Sequence, residues 1–133
     1  MANVMTVEVV SPEKVLYSGE ATMVITRTIG GGEVAFQPGH VAFLGALVEN
    51  HTRVFLADGS TEDVAVHGGF VEVSDNKVSI LSDAAELGTN VDIERARAAK
   101  QRAEEVLRHE HDAEAISALG RAHARLNAAG ASF

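Results

Sequence analysis

Glu62-Asp63-Val64-Ala65-Val66-His67-Gly68-Gly69-Phe70-Val71-Glu72-Val73 is the stretch on which the reading of the fold turns. In 62–66 and again in 70–73 apolar and polar residues roughly take turns, the period-2 pattern of a half-buried antiparallel strand. Gly68-Gly69 between them marks a tight turn, with Phe70 expected to pack in the core. Outward from this stretch the texture repeats. Segments 4–10, 14–17, 23–28, 33–36, 41–48, 52–57, 62–66, 70–74 and 77–81 are short and rich in Val, Ile, Thr and Phe. Turn signals separate them: Ser18-Gly19, Gly30-Gly31-Gly32, Pro38-Gly39, Asp58-Gly59-Ser60, Gly68-Gly69 and Asp75-Asn76. About nine or ten short strands at this spacing predict an all-β sandwich.

The pattern changes near Thr89. From 92 to 107 the apolar residues Ile93, Ala96, Ala99, Ala103 and Val106/Leu107 fall at helical spacing. Thr89 or Asn90 is expected to cap this helix, and Asp92 and Glu94 suit the positive end of its dipole. His109-Glu110-His111-Asp112 breaks the stripe. A second helix is predicted over 113–128, with Ile116, Leu119, Ala122 and Leu126 on one face and Gly130 and Ser132 at its end. The two make an antiparallel α-helical hairpin. Residues 1–86 therefore form one unit and 90–133 a second. The hairpin's stripe is mostly Ala, which allows close packing but buries little area at about 25 cal/mol per Å2. Gly120 within the second helix costs about 1 kcal/mol relative to Ala. A marginal tail that can change conformation or partner is expected.

Hydrophobic residues make up 46% of the 133, enough for a packed core. There is no Cys, which excludes a disulfide scaffold, a thiolate nucleophile and a Cys-ligated zinc, and fits a reducing compartment. The start, Met1-Ala2-Asn3-Val4-Met5, carries no Lys or Arg, so no signal peptide is expected. No run of about 18 apolar residues occurs, so any membrane association must go through a partner. The net charge of −8 lies wholly in 1–88, with 12 acids against 4 bases, whereas 89–133 balance 7 against 7. The front part should repel nucleic acid and anionic lipid. The tail is locally basic over 95–108 and 121–125 and suits an acidic partner.

Three segments together resemble one family. Gly32-Glu33-Val34-Ala35-Phe36-Gln37-Pro38-Gly39-His40 is similar to a Gly-acidic-aliphatic-x-aliphatic-x-Pro-Gly-His signature, with Phe36 in place of the usual aliphatic residue. Val66-His67-Gly68-Gly69-Phe70-Val71-Glu72-Val73 resembles a strand–Gly-Gly-Phe–strand hairpin. Val91-Asp92-Ile93-Glu94-Arg95-Ala96, after Ala84-Ala85-Glu86, resembles an Ile/Leu-Asp-x-x-Arg-Ala motif opening a helix. In this order the three point to the epsilon subunits of F-type ATP synthases, which are homologous to the mitochondrial delta subunit. The resemblance implies a sandwich followed by a two-helix hairpin. It also implies a non-catalytic rotor role in the central stalk, at the cytoplasmic face of the cell membrane and held there only through the complex.

The partners it implies are the gamma subunit and the c-subunit ring for the sandwich, and the catalytic beta subunits for an extended tail that restrains ATP hydrolysis. Glu33 and His40 are the expected c-ring contacts. Arg95, Arg97, Lys100, Arg102, Arg108, Arg121 and Arg125 are the candidates to meet an acidic stretch of beta. In some family members residues matching Glu86, Asp92, Arg95, Arg102, Arg121 and Arg125 bind ATP, the arginines pairing with phosphates and the two acids addressing base or ribose or orienting the arginines. No cofactor is required, and ATP is the one regulatory ligand implied.

Other chemistry finds little footing. His109 and His111 with Glu110 and Asp112 read as an exposed linker rather than a metal site. Gly30-Gly31-Gly32 lacks the Lys-Ser/Thr of a phosphate loop. An unrelated small enzyme using His40 or His67 as acid–base lacks a partner carboxylate at a readable spacing.

Overall fold

A computed structural model describes residues 3–131. Ten strands precede the helices: β1 Met5–Val10, β2 Val15–Ala21, β3 Met23–Thr28, β4 Gly32–Phe36, β5 Phe43–Ala46, β6 Asn50–Phe55, β7 Thr61–His67, β8 Phe70–Ser74, β9 Lys77–Leu81 and β10 Ala84–Leu87. They form two five-stranded sheets, ordered β2-β1-β9-β8-β5 and β10-β7-β6-β3-β4. Pairing is antiparallel except between β1 and β9. Helices α1 (Ile93–His109) and α2 (Ala113–Ala128) follow a short 3-10 turn at Gly88–Asn90.

The inward faces follow from the alternation. Val7 and Val9, Val71 and Val73, Val78 and Ile80 from the first sheet meet Val24, Phe36, Val54, Val64 and Val66 from the second in one buried core. Thr26, Asn50 and Thr52 also lie buried, within hydrogen-bonding distance of one another, which offsets the cost of taking their polar atoms out of water.

Several expectations need correction. Gly68-Gly69 is not a hairpin turn: β7 and β8 belong to different sheets, and the glycines carry the chain across. A Cβ on Gly69 would stand 2.1 Å from the Leu81 carbonyl oxygen, and its φ is +104°, so only glycine fits. Phe70 is not in the core but 54% exposed. With Val71 and Val73 facing inward, period 2 turns Phe70 and Glu72 outward. Ser18-Gly19 lies inside β2, the segment 41–48 keeps only four strand residues, and β10 went unread because Ala84-Ala85-Glu86-Leu87 has little β-propensity.

The cap of α1 is neither Thr89 nor Asn90 but Asp92, whose Oδ1 accepts from the Arg95 amide. Asp112 caps α2 in the same way through the Ala115 amide. Ile116 is 46% exposed, so the buried face of α2 is Ala115, Ala122, Ala124, Leu126 and Ala128. Gly130, at φ +70°, ends α2 in a Schellman arrangement, with its amide on Asn127 and that of Ala131 on Leu126. Ser132 falls outside the described residues.

Helix α2 lies on the outer face of the second sheet, against β6 and β7, and α1 packs on α2. Ala124 and Ala128 seat on Ala65 in a cluster separate from the sandwich core. At about 0.8 kcal/mol per buried methylene-sized group, this alanine cluster adds little beside the fully buried Leu126.

Candidate functional site

Four guanidinium groups and two carboxylates converge where the second sheet meets the hairpin. Glu86 on β10, Asp92 at the start of α1, Arg95 and Arg102 on α1, and Arg121 and Arg125 on α2 line one cavity of about 480 Å3. Asp92, Arg95 and Arg102 share a side of α1 because offsets of 3 and 7 are close to whole turns. Arg121 and Arg125 share a side of α2 for the same reason. The small residues Ala96, Ala99 and Ala118 make room between them, and Asn90, expected from the sequence only as a helix cap, contributes a polar wall.

The arginines differ in their ties. Arg125 donates through Nε to Glu86 Oε1. Arg121 donates to Glu114 at 2.7 Å, on an exposed part of α2. Among the described residues no ion pair engages the side chains of Arg95 and Arg102. Their guanidinium groups, facing the cavity with Arg121 and Arg125, create a field that favours an anion. One oxygen of Asp92 is committed to the helix cap, which leaves that carboxylate a partly structural task.

Glu33 and His40 are not brought together. Glu33 stands at the Gly32 end of edge strand β4 and His40 lies beyond the Phe36 end. Glu33 is 4.0 Å from Arg53 Nη2 and lines a second cleft, of about 320 Å3, beside α2. A Cβ on Gly120 would meet Glu49 Cγ at 3.4 Å there, an ordinary van der Waals contact, so packing does not demand glycine inside α2. His40 stacks edge-on against Phe36 with centroids 4.9 Å apart. Its loop is tied down by Asn76, whose Oδ1 accepts from the Gly39 amide at 3.0 Å.

A carboxylate partner for His67, invisible in sequence, comes from 18 residues away. Glu49 Oε2 lies 2.8 Å from His67 Nδ1. The imidazole is 5% exposed, beneath α2, so no substrate reaches it.

On the outer face of the first sheet, register aligns Val15, Val10, Leu81, Phe70 and Ala46 in one row across all five strands. Val15, Phe70 and Leu81 are each more than half exposed. Leu44, two residues from Ala46, and Ile29, whose amide binds the Ala46 carbonyl, extend the patch. This apolar row, bordered on the same face by Ser18, Glu8, Ser79 and Glu72, is a candidate interaction surface.

Fold and site together define a two-sheet β-sandwich with a helical hairpin laid on one sheet and an arginine-lined cavity at the junction. Residues 4–88 match the family model of the ATP synthase delta/epsilon chain beta-sandwich domain, and residues 90–130 match that of its long alpha-helix domain. The chain belongs to the ATP synthase delta/epsilon family. It is 44% identical to the ATP synthase epsilon chain of Desulfitobacterium hafniense (strain DSM 10664 / DCB-2), over 97% of this chain and 98% of that one. It is 47% identical to the epsilon chain of Thermobifida fusca (strain YX), over 92% and 90% respectively. In fold it is similar to a chain in the solved structure of the Euglena gracilis mitochondrial ATP synthase (OSCP, F1 and c-ring), with a TM-score of 0.81, 20% identity, and 96% of this chain and 81% of that chain covered.

Proposed function

We propose that this chain is a non-catalytic rotor subunit that fixes gamma to the c-ring, so that proton-driven ring rotation is coupled to ATP synthesis. Its hairpin restrains ATP hydrolysis when it leaves the sandwich for the catalytic beta subunits, and ATP in the junction cavity holds it down. The match to epsilon chains over nearly the whole length supports the subunit reading, and the nucleotide part is carried by one cavity that gathers arginines from both helices and an acid from the sheet. A nucleotide bound there, its phosphates on the arginines of α1 and α2 and its ribose or base toward Glu86 of β10, ties both helices to the sheet and so favours the docked hairpin by its differential affinity. Released, the same arginines become available to an acidic stretch of beta. An ATP-sensing module with no braking role is the second reading, and the same cavity supports it.

Titration of the purified chain with Mg-ATP by calorimetry tests the site. Binding is expected, and the double variant R95A/R102A should weaken it about tenfold or more, because charge-assisted bonds contribute roughly 1.5–3 kcal/mol each. No heat at millimolar Mg-ATP removes nucleotide from the proposal.

The apolar row on the first sheet is assigned to gamma. Its exposed Val15, Phe70 and Leu81 offer apolar area for a partner to cover, and no described helix is long and apolar enough to take it into a membrane. Attachment to the cytoplasmic face of the cell membrane then comes through the ring. Glu33 and His40, at the two ends of edge strand β4, are assigned to the c-ring as polar contacts that set register more than affinity. F70E and L81E should each weaken capture of the cognate gamma subunit about tenfold or more. Both side chains are exposed, so thermal unfolding should barely move. Undiminished gamma capture by F70E/L81E would place gamma elsewhere.

A further inference from the structure

The buried His67 imidazole sits between two carboxylates that serve different purposes. Nδ1 is 2.8 Å from Glu49 Oε2. A carboxylate only accepts, so Nδ1 carries the hydrogen in the neutral ring. Nε2 is buried and has no hydrogen-bond partner among the described residues. It is aimed at Glu86 Oε1, 3.8 Å away. That same oxygen accepts the Nε hydrogen of Arg125 in the junction cavity. One carboxylate oxygen thus has two potential donors, one engaged and one held just beyond reach.

We propose that His67 is a proton-operated competitor for Glu86: when Nε2 gains a proton it draws Glu86 from Arg125 and frees the Arg125 guanidinium for a phosphate in the cavity. The consequence for nucleotide rests on the cavity reading above. With His67 neutral, Glu49, Glu86 and Arg125 carry a net −1, which opposes an incoming anion. With His67 protonated the cluster is neutral and Arg125 lacks a partner, which an anionic ligand supplies. Proton and phosphate therefore favour each other's binding.

The groups facing His67 are Glu49 from the segment before β6, Glu86 from β10 and Arg125 from α2. Asp83, in the β9–β10 link, lies against Gly68, and His123 on α2 lines the neighbouring cleft with Glu49. Burial pushes the imidazole below its ordinary value of 6.5, Arg125 acts the same way, and the Glu49 hydrogen bond with the two carboxylate charges opposes them. In the unliganded chain an undocked His67 therefore binds protons more readily than a docked one. Docking loses stability as pH falls from 6.5 through the lower docked value. Phosphate in the cavity reverses the sign by raising that value.

Two measurements on the full chain test this. In 15N NMR without ligand, the His67 ring signals and the Arg125 Nε signal should move with one midpoint, and in E86Q they should separate. A His67 that titrates while Arg125 Nε stays still, or that never titrates above pH 5, overturns the proposal whether or not nucleotide binds. By calorimetry, Mg-ATP affinity should rise about fivefold or more from pH 8 to pH 6, with net proton uptake. H67Q, which keeps a donor toward Glu49 but does not titrate, should retain only the pH dependence of the nucleotide itself. Equal pH dependence in wild type and H67Q overturns the gating. Absence of Mg-ATP binding at every pH overturns the cavity reading, while co-titration of His67 and Arg125 stands as a separate result.

Discussion

Gly88→Ala is expected to release the hairpin from the sheet while the sandwich stays folded. A Cβ on Gly88 would stand 2.1 Å from the Ala128 carbonyl oxygen and 2.8 Å from its carbon, at the last turn of α2. Backbone, not a flexible side-chain tip, occupies that space, so α2 must shift. Overpacking of this kind costs about 1–3 kcal/mol. Each of the alanines seating α2 on the sheet contributes only about 0.8 kcal/mol by burial, so the two effects are of one size. The undocked population should rise roughly 5- to 150-fold, the ratio to which those energies convert. Hydrogen exchange reads this directly: amides of 113–128 should lose protection while those of β6 and β7 keep theirs. Unchanged α2 protection would mean that the Gly88–Ala128 approach does not control docking. Equal loss in the sheet would mean that hairpin and sandwich form one cooperative unit.

The other large effect concerns the assembled enzyme. Removing 89–133 should raise its ATP hydrolysis about fivefold or more, the lower end of typical coupling between sites, with assembly intact. The physical basis is the separation of cores: the fourteen buried residues of the sandwich cluster all precede residue 82, and none comes from a helix. The truncated chain thus keeps the surfaces assigned to gamma and ring. Unchanged hydrolysis in a complex that still holds the truncated chain would remove the brake. Gly88→Ala should move hydrolysis in the direction set by where the freed hairpin goes, and comparison of the two variants separates loss of the tail from its release.

Much of the architecture was legible along the chain. Val7, Val9, Val64, Val66, Val71, Val73, Val78 and Ile80 announce their strands because one face of a two-sided sheet must be apolar. The switch to helical spacing at Ile93 and Ala96 marks the second unit. The six cavity residues were legible as a set only through resemblance. Spacing alone aligns Asp92 with Arg95 and Arg102, but says nothing of Glu86 or α2. Phe70 was misread because large aromatic residues are usually buried. Its neighbours Val71 and Val73 had already fixed its direction, so the local alternation was the better guide.

From its sequence alone, the change from strand to helical periodicity near Thr89 and the confinement of the net charge to the residues before it were legible, because periodicity and composition are local properties of the chain. Which sheet each strand joined, and the meeting of Glu86, Arg125, His67 and Glu49 beneath α2, were decided only by the tertiary structure. Those four groups are up to 76 residues apart, and no local pattern encodes the register of one strand on another or the docking of a helix on a sheet.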